Sequence, residues 1–184
     1  ASKTSEMLRE ITKYSDLSHK RCALVINHSF DTRDIKRTVS SHSSIYKGLS
    51  EKVDALSATT LQGVDVSNYT IIGVDESQFF VDLVEVVKEW LRQGKHIICA
   101  GLDSDSNMNK FGYLSDLLHM ADKFIKMNAV CQLCMNETLE KGEVITPCNT
   151  VPAPFTKKIS KDGQLIDIGG EDKYIAVCRK HHAC

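Results

Sequence analysis

One stretch limits the fold more than any other. Tyr69-Thr70-Ile71-Ile72-Gly73-Val74 is a short β-branched run that ends abruptly in two adjacent carboxylates, Asp75-Glu76, with Ser77, Gln78, Phe79 and Phe80 directly after them. Such a run reads as a strand buried on both faces, and the carboxyl edge of such a strand is where α/β proteins carry their sites. Delivered there, Asp75 can hold Mg²⁺ directly or through water, with Glu76 beside it to act on a proton; this is the pattern of a Walker-B site. An Asp-Glu pair after a strand is also a common solvated turn, so the rest of the chain has to decide.

The 184 residues, 42% hydrophobic and 26% charged, suffice for one core and a small appendage. A formal net charge of -1 supplies no electrostatic reason to bind long nucleic acid or an anionic membrane. No apolar run approaches the roughly 20 residues of a bilayer span, and Ala1-Ser2-Lys3-Thr4 lacks the layout of a signal peptide, so the expected location is the cytoplasm. The seven cysteines are odd in number, and short paired spacings among them read as metal ligands in a reducing compartment.

Taken in order, the chain alternates helices and strands. Met7, Leu8 and Ile11 stand at helix spacing, with Thr4 or Ser5 as a cap. Lys3-Thr4 at a helix start is how a P-loop ends, the Lys reaching phosphates and the Thr hydroxyl a Mg²⁺, although any surface helix can begin that way. The glycine-rich half of such a loop would have to precede Ala1. Cys22 to Ile26 reads as a buried strand leading into His28-Ser29-Phe30-Asp31-Thr32-Arg33, where Arg33 either reaches a phosphate or is solvated. Residues 34–53 read as a polar loop, and Val53 to Val66 as a strand and helix pair. The spacing of Leu83, Val84, Val87, Trp90 and Leu91 predicts a helix stopped by Gly94. His96 to Ala100 is the next strand, Leu114 to Met120 a helix, and Phe124 to Met127 the last strand of the layer. The fold class expected is α/β, a P-loop NTPase-like parallel sheet over residues 1–128, with a small β-rich appendage over 129–184.

Cys131-Gln132-Leu133-Cys134 and Cys178-Arg179-Lys180-His181 carry the strongest signal. Two residues between ligands let a tight turn aim both at one ion, and two such turns complete the tetrahedron of a closed structural Zn²⁺ site. His182 and Cys184 compete for the fourth position, which His181 fills with the matching spacing. Cys22 and Cys99 read as small apolar core residues, and Cys148 is unassigned. A closed site pins two distant turns and tethers the residues between them, where Gly169-Gly170 permits close approach to a small molecule or serves an ordinary turn.

The ordered set of Lys3-Thr4, Asp31-Thr32-Arg33, Asp75-Glu76-Ser77-Gln78-Phe79-Phe80, Leu102-Asp103, Phe111-Gly112, Cys131-x-x-Cys134, Gly169-Gly170-x-Asp172-Lys173-Tyr174 and Cys178-x-x-His181 resembles the cytosolic-type thymidine kinase family, the type with a zinc-held lasso. The resemblance runs essentially end to end. It implies transfer of the γ-phosphoryl group of ATP to the 5′-hydroxyl of thymidine with Mg²⁺, and a structural Zn²⁺ in residues 129–184. It implies ATP contacts from Ser2, Lys3, Thr4, Asp31, Thr32, Arg33, Asp75 and Gln78, with Thr4 and Asp75 placing the Mg²⁺ and Glu76 as general base. Phe79, Leu102 and Phe111 would line the nucleoside pocket. Leu165, Ile166, Asp167, Ile168 and Gly169 would bond the base through backbone, Thr156 would face it and Tyr174 would help close the site. The resemblance also implies a homotetramer and leaves room for feedback by dTTP. Three departures stand out. Ser2 replaces the usual Gly before the lysine, Ser106 stands where the family usually has an aromatic, and Thr138 to Pro154 is an insertion expected to form a surface excursion. The competing expectations are another P-loop NTPase, in which Glu76 would activate water, and a non-catalytic zinc-stabilised relative.

Overall fold

The structure, a computed structural model, describes residues 3–15, 22–29, 53–159 and 173–183. Two compact units divide the chain, one of Ser2–Asp103 with Phe111–Ala121, the other of Ser104–Lys110 with Asp122–Cys184.

The first unit is an α/β layer. Strands β1 (Ala23–His28), β2 (Val53–Ala58), β3 (Ile71–Asp75) and β4 (His96–Cys99) form a parallel sheet in the order β2-β1-β3-β4. Register places Ala23 opposite Ile71 and Asn27 opposite Asp75, while Val74 pairs with Cys99. Side chains alternate between the sheet's faces, and both faces are covered, which is why the strands read as continuous apolar runs. Leu24, Ile26, Ile72 and Val74 pack with Phe80, Leu83, Val87 and Trp90 on one side. Ala23, Val25 and Ile71 pack on the other with Met7, Leu8 and Ile11 of helix α1 (Lys3–Ser15). A Cβ at Gly73 would stand 2.6 Å from Ile11 Cδ1, so the glycine lets α1 settle against the sheet. Each fully buried aliphatic side chain here contributes roughly 1.5–3 kcal/mol.

Helix α2 (Leu83–Arg92) ends as its sequence predicts. Gly94, at φ +74°, donates to Leu91 O at 3.0 Å and Lys95 N to Trp90 O at 3.0 Å, a Schellman closure. Between β2 and β3 the expected strand and helix pair is only a strand. Asp82 Oδ2 accepts from Leu61 N at 2.9 Å, from Gln62 N at 2.7 Å and from the Thr60 hydroxyl, and Gly63 follows at φ +86°. Those backbone donors are committed to a carboxylate, so residues 59–70 turn where a helix was expected. Leu114–Met120 is a 3₁₀ helix.

In the second unit β5 (Ala129–Val130) pairs antiparallel with β6 (Pro152–Ala153), and β7 (Phe155–Lys158) with β8 (Tyr174–Val177). The strand expected at Phe124 to Met127 is not formed: Phe124 and Ile125 are exposed, and with Lys123 and Lys126 around them they offer no apolar face to bury. Pairing starts instead at Ala129, and its partner Pro152–Ala153 comes from the far end of residues 138–154, so the segment expected as a surface excursion also closes a sheet. The unit is not purely β, because helices α3 (Gln132–Glu140) and α4 (Arg179–Ala183) follow β5 and β8. Its core of Cys131, Ala153, Val177 and Cys178 is small.

Candidate active site and metal centre

In the first unit the sheet's carboxyl edge gathers the acidic pair. Asp75 closes β3 and is buried; its Oδ2 accepts from the Thr4 hydroxyl at 2.7 Å and its Oδ1 from Glu76 N at 3.0 Å. Thr4 and Lys3 lie in the opening turn of α1, so the sheet and the helix meet at this carboxylate. Burial pushes the Asp75 carboxyl up to about 6, against the pull of the Thr4 bond, and the neighbouring Glu76 charge adds to the rise. A carboxylate so placed ionises readily beside a cation, the service a metal ion or the Lys3 ammonium performs.

Glu76 turns the chain out of β3 with φ 48° and ψ 40°, a left-handed conformation that costs an L-residue about 1–2 kcal/mol. Its Oε2 accepts from Gln78 Nε2 at 2.7 Å, and Gln78 Oε1 accepts from Leu102 N at 3.0 Å. Ser77 donates from both its backbone N, at 3.0 Å, and its hydroxyl, at 2.9 Å, to Ala100 O. Phe79 meets Phe111 edge to face at 5.7 Å and 90°, and lies 5.5 Å from the His28 ring. Phe80 faces the other way, into the core. The structure therefore brings together Thr4, Asp75, Glu76, Gln78, Phe79, Leu102 and Phe111, with Lys3 beside Thr4. Ser2, Asp31, Thr32, Arg33 and Leu165 to Gly169 lie outside the described residues.

In the second unit Cys131, Cys134, Cys178 and His181 place their donor atoms within 4.8 Å of one another. Each pair combines a strand exit with the first turn of a helix: Cys131 follows β5 and Cys134 is in α3, while Cys178 follows β8 and His181 is in α4. Helical spacing of three residues, in place of the tight turn expected, keeps both ligands on one side. His181 Nδ1 lies 3.4, 3.5 and 3.6 Å from the sulfurs of Cys131, Cys134 and Cys178, and the Cys134 and Cys178 sulfurs are 3.9 Å apart. A tetrahedral Zn²⁺ with ordinary Zn–S and Zn–N bonds demands edges of about 3.8 and 3.6 Å, so the donor set fits that ion. Burial and then the neighbouring sulfurs push the Cys134 thiol up to about 12, the crowding a divalent cation relieves.

Of the alternatives for the fourth position, only His182 lies among the described residues. His182 Nε2 lies 2.9 Å from Ser106 O and its ring 5.5 Å from Phe155, away from the cluster; Cys184 lies outside the described residues. One partner escaped the sequence reading: Glu137 Oε1 lies 2.9 Å from His181 Nε2, the carboxylate that orients a ligating imidazole. Its place one turn after Cys134 was the available signal. Thr156 and Tyr174 sit on the β7–β8 hairpin, opposite Ala176 and Lys158, and Lys157 Nζ donates to His181 O at 2.8 Å. Cys148 is exposed.

The family model described as thymidine kinase matches residues 1–182. The thymidine kinase of Amsacta moorei entomopoxvirus is 32% identical over 186 residues, covering 96% of this chain and 89% of that protein. The cytosolic thymidine kinase of Gallus gallus is 32% identical, and thymidine kinase 1 of Dictyostelium discoideum 34%; each alignment covers 96% of this chain and 70% of the relative. With strand-end carboxylates, a helix-borne threonine and a Cys/His cluster in one chain matched almost throughout by that family, the chain belongs to the thymidine kinase family.

Proposed function

We propose that this protein is a thymidine kinase that uses ATP, moving its γ-phosphoryl group to the 5′-hydroxyl of thymidine to give dTMP and ADP. The observation that carries the reading is the buried Asp75, bonded to the Thr4 hydroxyl, with the Glu76 carboxylate directly after it. Thr4 and Asp75 would hold the Mg²⁺ that accompanies ATP, and that ion supplies charge neutralisation on the phosphates. Lys3 adds a cation at the same helix start, where backbone N–H groups also favour an anion. Glu76 accepts the 5′-hydroxyl proton as that oxygen bonds to phosphorus and the bond to the ADP oxygen breaks. Phe79 and Phe111, in edge-to-face contact, offer an apolar wall for the thymine base, and Leu102 stands on the loop that Gln78 holds.

Residues 1–128 are assigned to nucleotide binding and 129–184 to a zinc-held lasso, in which Cys131, Cys134, Cys178 and His181 would hold Zn²⁺. Ser2, Asp31, Thr32 and Arg33 on the ATP side, and Leu165 to Gly169, Thr156 and Tyr174 around the base, complete the assignment by resemblance. A homotetramer, feedback by dTTP and a cytoplasmic location rest on the same resemblance.

The test is a panel of nucleosides assayed for ADP formation with the wild type and Glu76→Gln. Thymidine-dependent ADP formation is expected from the wild type. A loss of about 10²–10⁴-fold in kcat is expected for Glu76→Gln, with thymidine still bound. An unchanged rate removes Glu76 as base, and phosphate release that ignores nucleosides removes the thymidine kinase reading.

A further inference from the structure

Gln78 has one side-chain amide and two partners of opposite chemistry. The Glu76 carboxylate at 2.7 Å can only accept, and the Leu102 N–H at 3.0 Å can only donate. One orientation of the amide satisfies both, nitrogen toward Glu76 and oxygen toward Leu102, so the pair of contacts fixes the group without ambiguity. The residue is buried at 4% exposure, which leaves the amide little access to any other ligand.

Its surroundings are built to keep it there. A Cβ at Gly101 would stand 2.5 Å from Gln78 Oε1 and 2.6 Å from Ser77 Oγ. A Cβ at Gly112 would stand 2.0 Å from the Gln78 carbonyl oxygen and 2.8 Å from its Cα. Glycine at both positions lets two segments close on Gln78 from different directions, while the two Ser77 bonds to Ala100 O clip the exit of β3 onto the exit of β4.

From this juxtaposition we propose that Gln78 is a positioning residue for phosphoryl transfer: it holds the Glu76 carboxylate in one orientation and ties it to the loop carrying Leu102. The proposal rests on the reading of Glu76 as the base. Glu76 sits at a left-handed turn and carries a side chain with free rotors, so its carboxylate needs a restraint to meet the attacking hydroxyl. The amide donor supplies that restraint from a buried, clamped site.

Three variants of the full chain test it, each with kcat, the dissociation constants for thymidine and ATP, and thermal midpoint. Gln78→Met fills the volume with neither donor nor acceptor. It is expected to lower kcat by about 10- to 100-fold, the scale of a misplaced catalytic group, with the thymidine dissociation constant within about threefold of wild type; a loss of ATP affinity with kcat unchanged would instead favour the ATP contact that the resemblance implies for Gln78 and overturn the positioning role. Gln78→Glu, isosteric with glutamine, keeps an acceptor for Leu102 N; assayed up to about pH 9, where two facing carboxylates shed the proton they would otherwise share, it has no donor for Glu76, and its kcat there should fall at least as far. A Gln78→Glu enzyme with wild-type kcat at that pH would show that the residue acts through Leu102 alone and overturn the proposal. So would an unchanged kcat in Gln78→Met, or a loss of thymidine affinity that parallels the loss of kcat. Should Gln78→Met fail to fold, the isosteric variant carries the test. Glu76→Gln separates the two readings: full activity there removes the base itself, whereas an inactive Glu76→Gln beside fully active Gln78 variants removes only the positioning role.

Discussion

At Gly112 a single missing carbon decides whether the candidate site can close. The residue has φ +62°, and the atoms a Cβ would strike belong to the Gln78 backbone, which cannot swing aside as a side chain tip can. Gly112→Ala is therefore expected to cost about 3 kcal/mol from combined left-handed strain and overpacking, read as a lowered urea midpoint; a change below about 0.5 kcal/mol would contradict the contact. Nothing in Phe111-Gly112 as letters separates this from an ordinary turn. Glu76 and Gln78 were visible as an acidic pair and a nearby amide, but their 2.7 Å bond depends on the turn conformation, which only the folded chain shows.

At the level of elements, the exit of β1 carries a consequence of its own. His28 is buried at the strand's end, packed on the Phe80 ring at 4.7 Å and the Phe79 ring at 5.5 Å. Burial holds its imidazole below the ordinary 6.5, against a hydrogen bond that the ring donates to the Thr59 backbone and the charge of Asp82. Its folded-state value is depressed, so the unfolded chain takes up a proton that the folded one refuses. The stability it confers is present above pH 6.5 and is lost as pH falls through the folded-state value. His28→Gln is expected to flatten that part of the decline in thermal midpoint between pH 7.5 and 5.5. An identical slope in wild type and variant would remove His28 as its source. The strands themselves were legible because burial on both faces forces continuous apolar runs. The missing helix after β2 was not, since its backbone donors are taken by Asp82, a residue about 20 positions further along the chain.

At the scale of the whole molecule, the chain joins one unit that holds itself with apolar layers to another whose core, among the described residues, is four small buried side chains, two of them cysteines. A unit of that kind would lean on an ion held by its Cys/His cluster, because metal binding energy is folding energy in such sites. Chelation of bound metal is expected to raise hydrogen exchange across residues 129–159 and 173–183 while β1 and β3 stay protected, and to lower thymidine affinity in the same preparation. Unchanged protection in verified metal-free protein would sever the cluster from the fold. By itself the sequence determined the α/β layer, the acidic pair at a strand's carboxyl edge, and the Cys and His residues of the cluster. Those features follow from local periodicity and from ligand spacing, which are written in neighbouring letters. Only the tertiary structure decided that Thr4 reaches Asp75 across 71 positions, that His181 and not His182 joins the cluster, that Glu137 backs it, and that Gln78 bridges Glu76 to Leu102. Apart from the Glu76–Gln78 bond, which spans two positions and depends on the turn between them, each of those joins groups distant in the chain and exists only after the sheet register and the helix ends have brought them together.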